Sequence, residues 1–221
     1  TFGSDEMKLY VDGREKKSKR VGGKIYYKKD VHLLLGANPG THEHVHGDYL
    51  DGFLDEIVVY NKALNSDEVE DLFAEKTPDK SSSKESLVNH WRMGEKDAFP
   101  TIQDYVDSNR AAYSGTMDGM VPDNIRVKVE AKAKHKDFIP SPKSCAFNGK
   151  DQYISVGSVK PGISYKNHGA ISFGGWVNAH DWHHHGSQAI ISCAESSGWG
   201  LWIEKGEISA AVSTKHKHYH T

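Results

Sequence analysis

Residues 49 to 73, YLDGFLDEIVVYNKALNSDEVEDLF, hold two kinds of hydrophobic pattern in succession. In GFLDEIVVY, Phe53, Asp55, Ile57 and Val59 alternate with Leu54, Glu56, Val58 and Tyr60. The density of β-branched and aromatic side chains suits a pleated, half-buried surface, so the pattern predicts a strand. After Ala63 and Leu64, Asn65 is placed to accept a bond from a backbone N–H of a first helical turn, and Glu68 three residues later completes a capping-box pattern. A short helix is expected near 65–76. Val69, Leu72 and Phe73 share one of its faces, while Asp67, Glu68, Glu70 and Asp71 favour its N-terminal half through the helix dipole. Such a helix packs rather than catalyses.

This strand-turn-helix resembles the closing signature of laminin-G-like, concanavalin A-like domains, G-[FY]-[IL]-D-E-[VI]-x-[VI]-[YF]-x-x-A-L-[ST]-x-x-E-[VI]. Upstream, MKLYVDG (7–13) resembles the family's hairpin strand with its D-G turn, a dipeptide favoured by type I′ geometry. VHLLLGANPG (31–40) resembles its next core strand. The resemblance implies an all-β, antiparallel jelly-roll sandwich, with residues 1–76 as its C-terminal half. The opening half follows later, as SLVNHWRMGE (86–95), TIQDYVDSNRAAYSGTMDGM (101–120), SCAFNGKDQYISVG (144–157) and AISFGGWVNA (170–179). Ser108 and Asn109 stand where the family has glycine before a turn. Residues 188–214 continue with two more strands.

Residues 87–221 therefore resemble the N-terminal half, and the polar Pro/Ser/Lys stretch KTPDKSSSKE (76–85) marks a linker at 77–86. One domain's worth of sequence is present in permuted order. A window on a tandem array, a circular permutant, and a polymer subunit whose halves are completed by a neighbour all satisfy this order. Two isolated half-sandwiches do not, because each would leave an apolar face in water.

Composition agrees with a compact β protein. The 221 residues are ample for a core, and 37% are hydrophobic. A formal net charge of −2 gives no general pull toward nucleic acid or anionic membrane. No apolar run reaches the roughly 18 residues of a membrane span, and Thr1 opens no signal peptide, so a secretion signal would lie outside this chain. Cys145 and Cys193 read as small buried thiols, with a bridge across the sheets as the alternative.

Histidine changes the picture. Of 14 in the chain, His42, His44 and His46, then His183, His184 and His185, then His216, His218 and His220 lie in clusters. On an extended chain positions i, i+2 and i+4 share a face, so the two H-x-H-x-H runs, at 42–46 and 216–220, present three imidazoles each to zinc or another transition metal. Solvated loop positions are the alternative. The family resemblance implies a different cation, calcium, held by Asp55 and Glu56 with Asp151 and Asn148; oxygen ligands suit it. Alternatively Asp55 caps a turn.

Catalysis is not expected. Glycoside hydrolases of this architecture carry paired carboxylates on one strand face, whereas Glu204 and Glu207 flank a glycine turn. The motif W-R-[MF]-[GE] followed by G-T-[ML]-x-[NG]-[ML] is most similar to modules of phage virion proteins and bacterial surface proteins. It implies a non-enzymatic structural or adhesive repeat of a fibre or filament, extracellular, on a cell surface or in a virion, whose partners are copies of itself. A calcium-dependent carbohydrate-binding module is the alternative, with Trp182 and Trp199 placed to stack on glycans.

Overall fold

The structure, a computed structural model, describes residues 1–27, 32–39, 46–74, 77–93, 101–102, 115–118, 144–158, 169–193 and 197–221. His42, His44, Ser108 and Asn109 lie outside these residues. Strands β1 (Phe2–Gly3), β2 (Glu6–Val11), β3 (Arg14–Arg20), β4 (His32–Leu35), β5 (Asn38–Pro39), β6 (His46–Gly47) and β7 (Asp51–Tyr60) precede helix α1 (Ser66–Phe73). They are followed by β8 (Leu87–Trp91), β9 (Thr101–Ile102), β10 (Gly115–Asp118), β11 (Cys145–Asn148) and β12 (Tyr153–Ser158). The last five are β13 (Ser172–Ala179), β14 (Ser187–Ser192), β15 (Trp199–Glu204), β16 (Glu207–Ser213) and β17 (His218–His220).

One layer is an eight-stranded sheet in the order β17-β16-β15-β14-β4-β12-β10-β9. In the other, β7 lies between β13 on one side and β11 then β8 on the other. Phe2 pairs both with Met7 of β2 and with Ile171 ahead of β13, which attaches the three-stranded β1-β2-β3 sheet to this second layer. Leu35, Ile191, Ile203 and Val212 of the first layer meet Leu54, Ile57, Val59 and Trp91 of the second in one core. This is the antiparallel β-sandwich that the motifs imply, with one α-helix among the described residues. Both cysteines are buried free thiols within it, and burial pushes the Cys193 thiol up to about 12.

β7 departs from simple alternation. It pairs Val58 with Gly174 but Asp55 with Trp176, so three steps along β7 meet two along β13. The extra residue is absorbed at Glu56, whose φ of 48° is left-handed. Strict alternation would set Leu54 and Ile57 on opposite faces; the bulge brings both into the core. Gly175 stands opposite, where a Cβ would lie 3.0 Å from the Asp55 carbonyl oxygen.

The outer face of β7 is buried as well, because Val58, Tyr60, Leu64 and Leu87 pack against Val69 and Leu72 of α1. The helix is fixed at its start by the expected reciprocal cap: Glu68 N donates to Asn65 Oδ1 at 2.9 Å, and Asn65 N donates to Glu68 Oε2 at 3.0 Å. At its end Phe73 stacks on Trp176, ring centroids 5.8 Å apart. The D-G turn at Asp12 and Gly13 has both residues at positive φ, 52° and 72°, as a type I′ hairpin requires. The segment of linker composition is locally ordered: 3₁₀ turns form at Pro78–Lys80 and Lys84–Ser86, closed by Ser81 Oγ donating to the Pro78 carbonyl and Ser86 Oγ to that of Ser83, both 2.8 Å.

Candidate functional site

A cavity of ≈ 530 Å³ opens between β2 and β13. Residues 7–13 on one side and 172–177 on the other line it without a break. Successive residues of a strand point to opposite faces. A wall built from every residue is therefore a strand edge, and the cavity passes through the layer instead of lying on one face. Its inner end reaches Leu201, Ile208 and Val212 of the eight-stranded sheet, and its outer end reaches Val69, Leu72 and Phe73 of α1.

One end is already bridged by backbone. Thr1 exchanges hydrogen bonds of 2.8 Å with Lys8, and Phe2 exchanges bonds of 2.7 and 2.8 Å with Ile171. Past Phe2, no pairing joins β2 to β13 among the described residues. Unfilled and closed, an apolar cavity of this size would cost about 13 kcal/mol at roughly 24 cal/mol per Å³. That matches the whole stability of an ordinary domain, about 5–15 kcal/mol. Such a space persists only if it is open to solvent or filled.

The polar side of the cavity includes Glu56 and Arg92. Arg92 Nε donates to Glu56 Oε1 at 3.1 Å, and His90 Nε2 hydrogen-bonds Glu56 Oε2. Burial pushes the Glu56 carboxyl up, but the bonds from His90 and Arg92 outweigh it and hold the group below its ordinary value of 4.5. A left-handed backbone, a half-buried carboxylate and two basic partners meet here, the kind of strained position that clusters at ligand sites.

The expected calcium set does not converge. Asp55 Oδ1 accepts the Glu56 N–H at 2.9 Å, which is the turn-capping alternative, while Glu56 is engaged by His90 and Arg92. Asn148 and Asp151 belong to the opposite end of β7: Asn148 pairs with Asp51, four ladder positions from Asp55, or about 13 Å at roughly 3.3 Å per residue. There Asn148 Oδ1 accepts from the N–H groups of Lys150 and Asp151 at 3.0 and 3.3 Å, and its Nδ2 donates to Asp151 Oδ1 at 2.7 Å. Asn148 and Asp151 form an Asx turn.

Nor do the histidines among the described residues build a three-imidazole site. His46 lies in β6; His183, His184 and His185 are exposed in the β13–β14 connection; His216 is exposed before β17. His218 and His220 do share a face, with ring centroids 4.5 Å apart at 72°, a packing geometry, and His218 Nδ1 is hydrogen-bonded to Ser213 Oγ. Burial, then the His220 charge, hold the His218 imidazole below its usual value. Among the described residues no three His, Cys, Asp or Glu side chains converge on a common point.

The tryptophans face inward. Trp199 is fully buried, stacked on Phe173 at 4.2 Å and donating Nε1–H to Tyr27 Oη at 3.1 Å, so it offers no ring to a glycan. Trp182 is partly buried against the same core. Glu204 and Glu207 pair across the Lys205–Gly206 hairpin turn, exposed, with Glu207 3.2 Å from Lys17.

His90 and Arg92 were not singled out by sequence reasoning. Their signal is two basic side chains at i and i+2 of the opening strand, on one face, opposite Glu56 of the closing strand. The slot itself left no local motif.

Residues 1–70 match the family model of the concanavalin A-like lectin/glucanases superfamily. No curated protein and no solved structure matches the chain. The observed antiparallel sandwich is consistent with the concanavalin A-like fold of the family that residues 1–70 match. Strands β8 to β17 complete the sandwich that the matched residues begin. That fold fits a binding or structural module. Among the described residues no helix is long and apolar enough to cross a membrane.

Proposed function

We propose that this chain is a structural and adhesive module acting outside a cell, a repeat or subunit of a fibre whose sandwich halves are completed within the chain or by a neighbour. The observation that carries this reading is the interleaving of the two halves. β4 lies between β12 and β14, and β7 lies between β13 and the β8 and β11 strands, so in each layer a strand from residues 1–60 is inserted between strands from 87–221. Halves that meet through main-chain ladders and a common core recognise each other equally when they belong to adjacent repeats.

The rival, a carbohydrate-binding module, draws less support. Stacking on sugars needs exposed rings, and Tyr26, at 41%, is the one exposed large hydrophobic side chain among the described residues. Light scattering of the purified chain, with negative-stain microscopy and with and without EDTA, tests the proposal. Concentration-dependent oligomers or fibres are expected, and EDTA sensitivity would place a cation such as calcium at the joints. A monomer at every concentration sinks the assembly reading and moves attention to glycans.

A further inference from the structure

We infer that the edge of the sandwich formed by β3 and β17 binds an unpaired nucleic-acid strand, through its phosphates and the faces of its bases. This goes beyond the assembly reading and does not depend on it. The formal net charge of −2 hides a strong local imbalance. Residues 14–24 hold six Lys or Arg and one acid, Glu15; residues 215–221 hold two more lysines, three histidines and no acid. All eight cations and all three imidazoles are exposed. The fold lays the two segments side by side. Ile25 bridges to Thr214, Tyr26 N donates to the Ser213 carbonyl at 2.8 Å, and Lys19 Nζ donates to the His220 carbonyl at 2.6 Å. Glu15 and the neighbouring Glu207 are already paired, with Lys8 at 3.0 Å and Lys17 at 3.2 Å.

Lysines on an edge strand also keep it from pairing with another sheet. The charges of β3 alone meet that need, which explains neither the second basic segment nor the rings set among the charges. Tyr26, at 41%, is the one exposed large hydrophobic side chain among the described residues, and it stands where the two segments join. Lys217 Nζ lies 5.3 Å from the centroid of the Tyr219 ring, and the rings of His218 and His220 are 4.5 Å apart. A row of cations calls for a polyanion; exposed planar rings call for flat partners. A sulfated polysaccharide answers the cations but offers no π face, and a duplex keeps its bases stacked inside. A single strand supplies both, phosphates for the lysines and arginines and base faces for Tyr26 and the imidazoles. Stacking of this kind accepts every base, so binding independent of sequence is expected.

Fluorescence anisotropy of a labelled oligothymidylate of about 16 nucleotides, titrated with the full chain, tests this. Saturable binding is expected at low salt, with log K falling against log salt at a slope of about −3 for roughly four neutralised phosphates. Lys16→Glu combined with Arg20→Glu is expected to weaken binding by about tenfold or more and to make that slope shallower. Tyr26→Ala is expected to weaken it by about tenfold with the slope unchanged, while Tyr26→Phe keeps both the ring and the affinity; circular dichroism checks the fold of each variant. No binding of the oligonucleotide at low salt overturns the inference, and binding of heparin under the same conditions would then assign the surface to a sulfated polysaccharide. A duplex bound as tightly as the single strand also overturns it. So does Tyr26→Ala binding like the native chain, since charge alone would then account for the surface.

Discussion

Glu56 carries an unusual load for one residue of a strand. Its left-handed backbone costs about 1–2 kcal/mol for an L-residue, and the bulge holds it there because Gly175 admits the β7 backbone at close range. Its carboxyl is held below 4.5 by His90 and Arg92 against the opposing effect of burial. A folded value below the unfolded one contributes stability that is fully present above about 4.5 and is lost as pH falls through the folded value. The urea midpoint of the native chain is therefore expected to fall more steeply between about pH 5 and pH 3 than that of Glu56→Gln; parallel curves would show that the pairing is energetically idle. The neighbouring glycines make a second, paired prediction. Gly175→Ala forces a Cβ against β7 and is expected to cost about 1–3 kcal/mol. Gly174→Ala, in open space, is expected to be neutral or to stabilise by up to about 1 kcal/mol. Equal midpoints for the two variants in chemical denaturation would refute the bulge as the cause.

At the scale of elements, α1 shows what local sequence determines. The Asn65–Glu68 cap and the Val69, Leu72, Phe73 face are legible because they depend on residues three and four apart. Asn65→Ala is expected to cost about 1 kcal/mol. It should also weaken the near-ultraviolet circular dichroism of Trp176, since Phe73 stacks on that ring from the end of the helix; an unaltered spectrum together with unaltered stability would sink the assigned role of the cap. β7 shows the limit. Its existence follows from composition, but its facing does not. The bulge that puts Leu54 with Ile57 is fixed by pairing with Gly174 and Trp176, more than a hundred residues away. The residues of the expected cation set are spread apart for the same reason: Asp55 and Asn148 are both on the strands of the β7–β11 pair, and only the register, four positions apart, separates them.

At the scale of the whole molecule, the order of motifs made the sandwich legible, since each half of the chain held strands whose partners lay in the other. The cavity between β2 and β13 was not legible, because it is a space between two strands and no side-chain pattern encodes it. The interleaving has a mechanical consequence. A protease site inserted after Ser82, an exposed position between the two 3₁₀ turns, cuts the only covalent path between the halves without crossing a ladder. The two fragments are expected to remain together through the β4 and β7 pairings and the common core, eluting as one species and unfolding in one transition. Their joining becomes bimolecular after the cut, so the thermal midpoint should rise with protein concentration more steeply than that of the intact chain. Fragments that separate in native buffer would show that the connection, and not the interleaving of strands, holds the halves together, and adjacent repeats would then have no basis for completing each other.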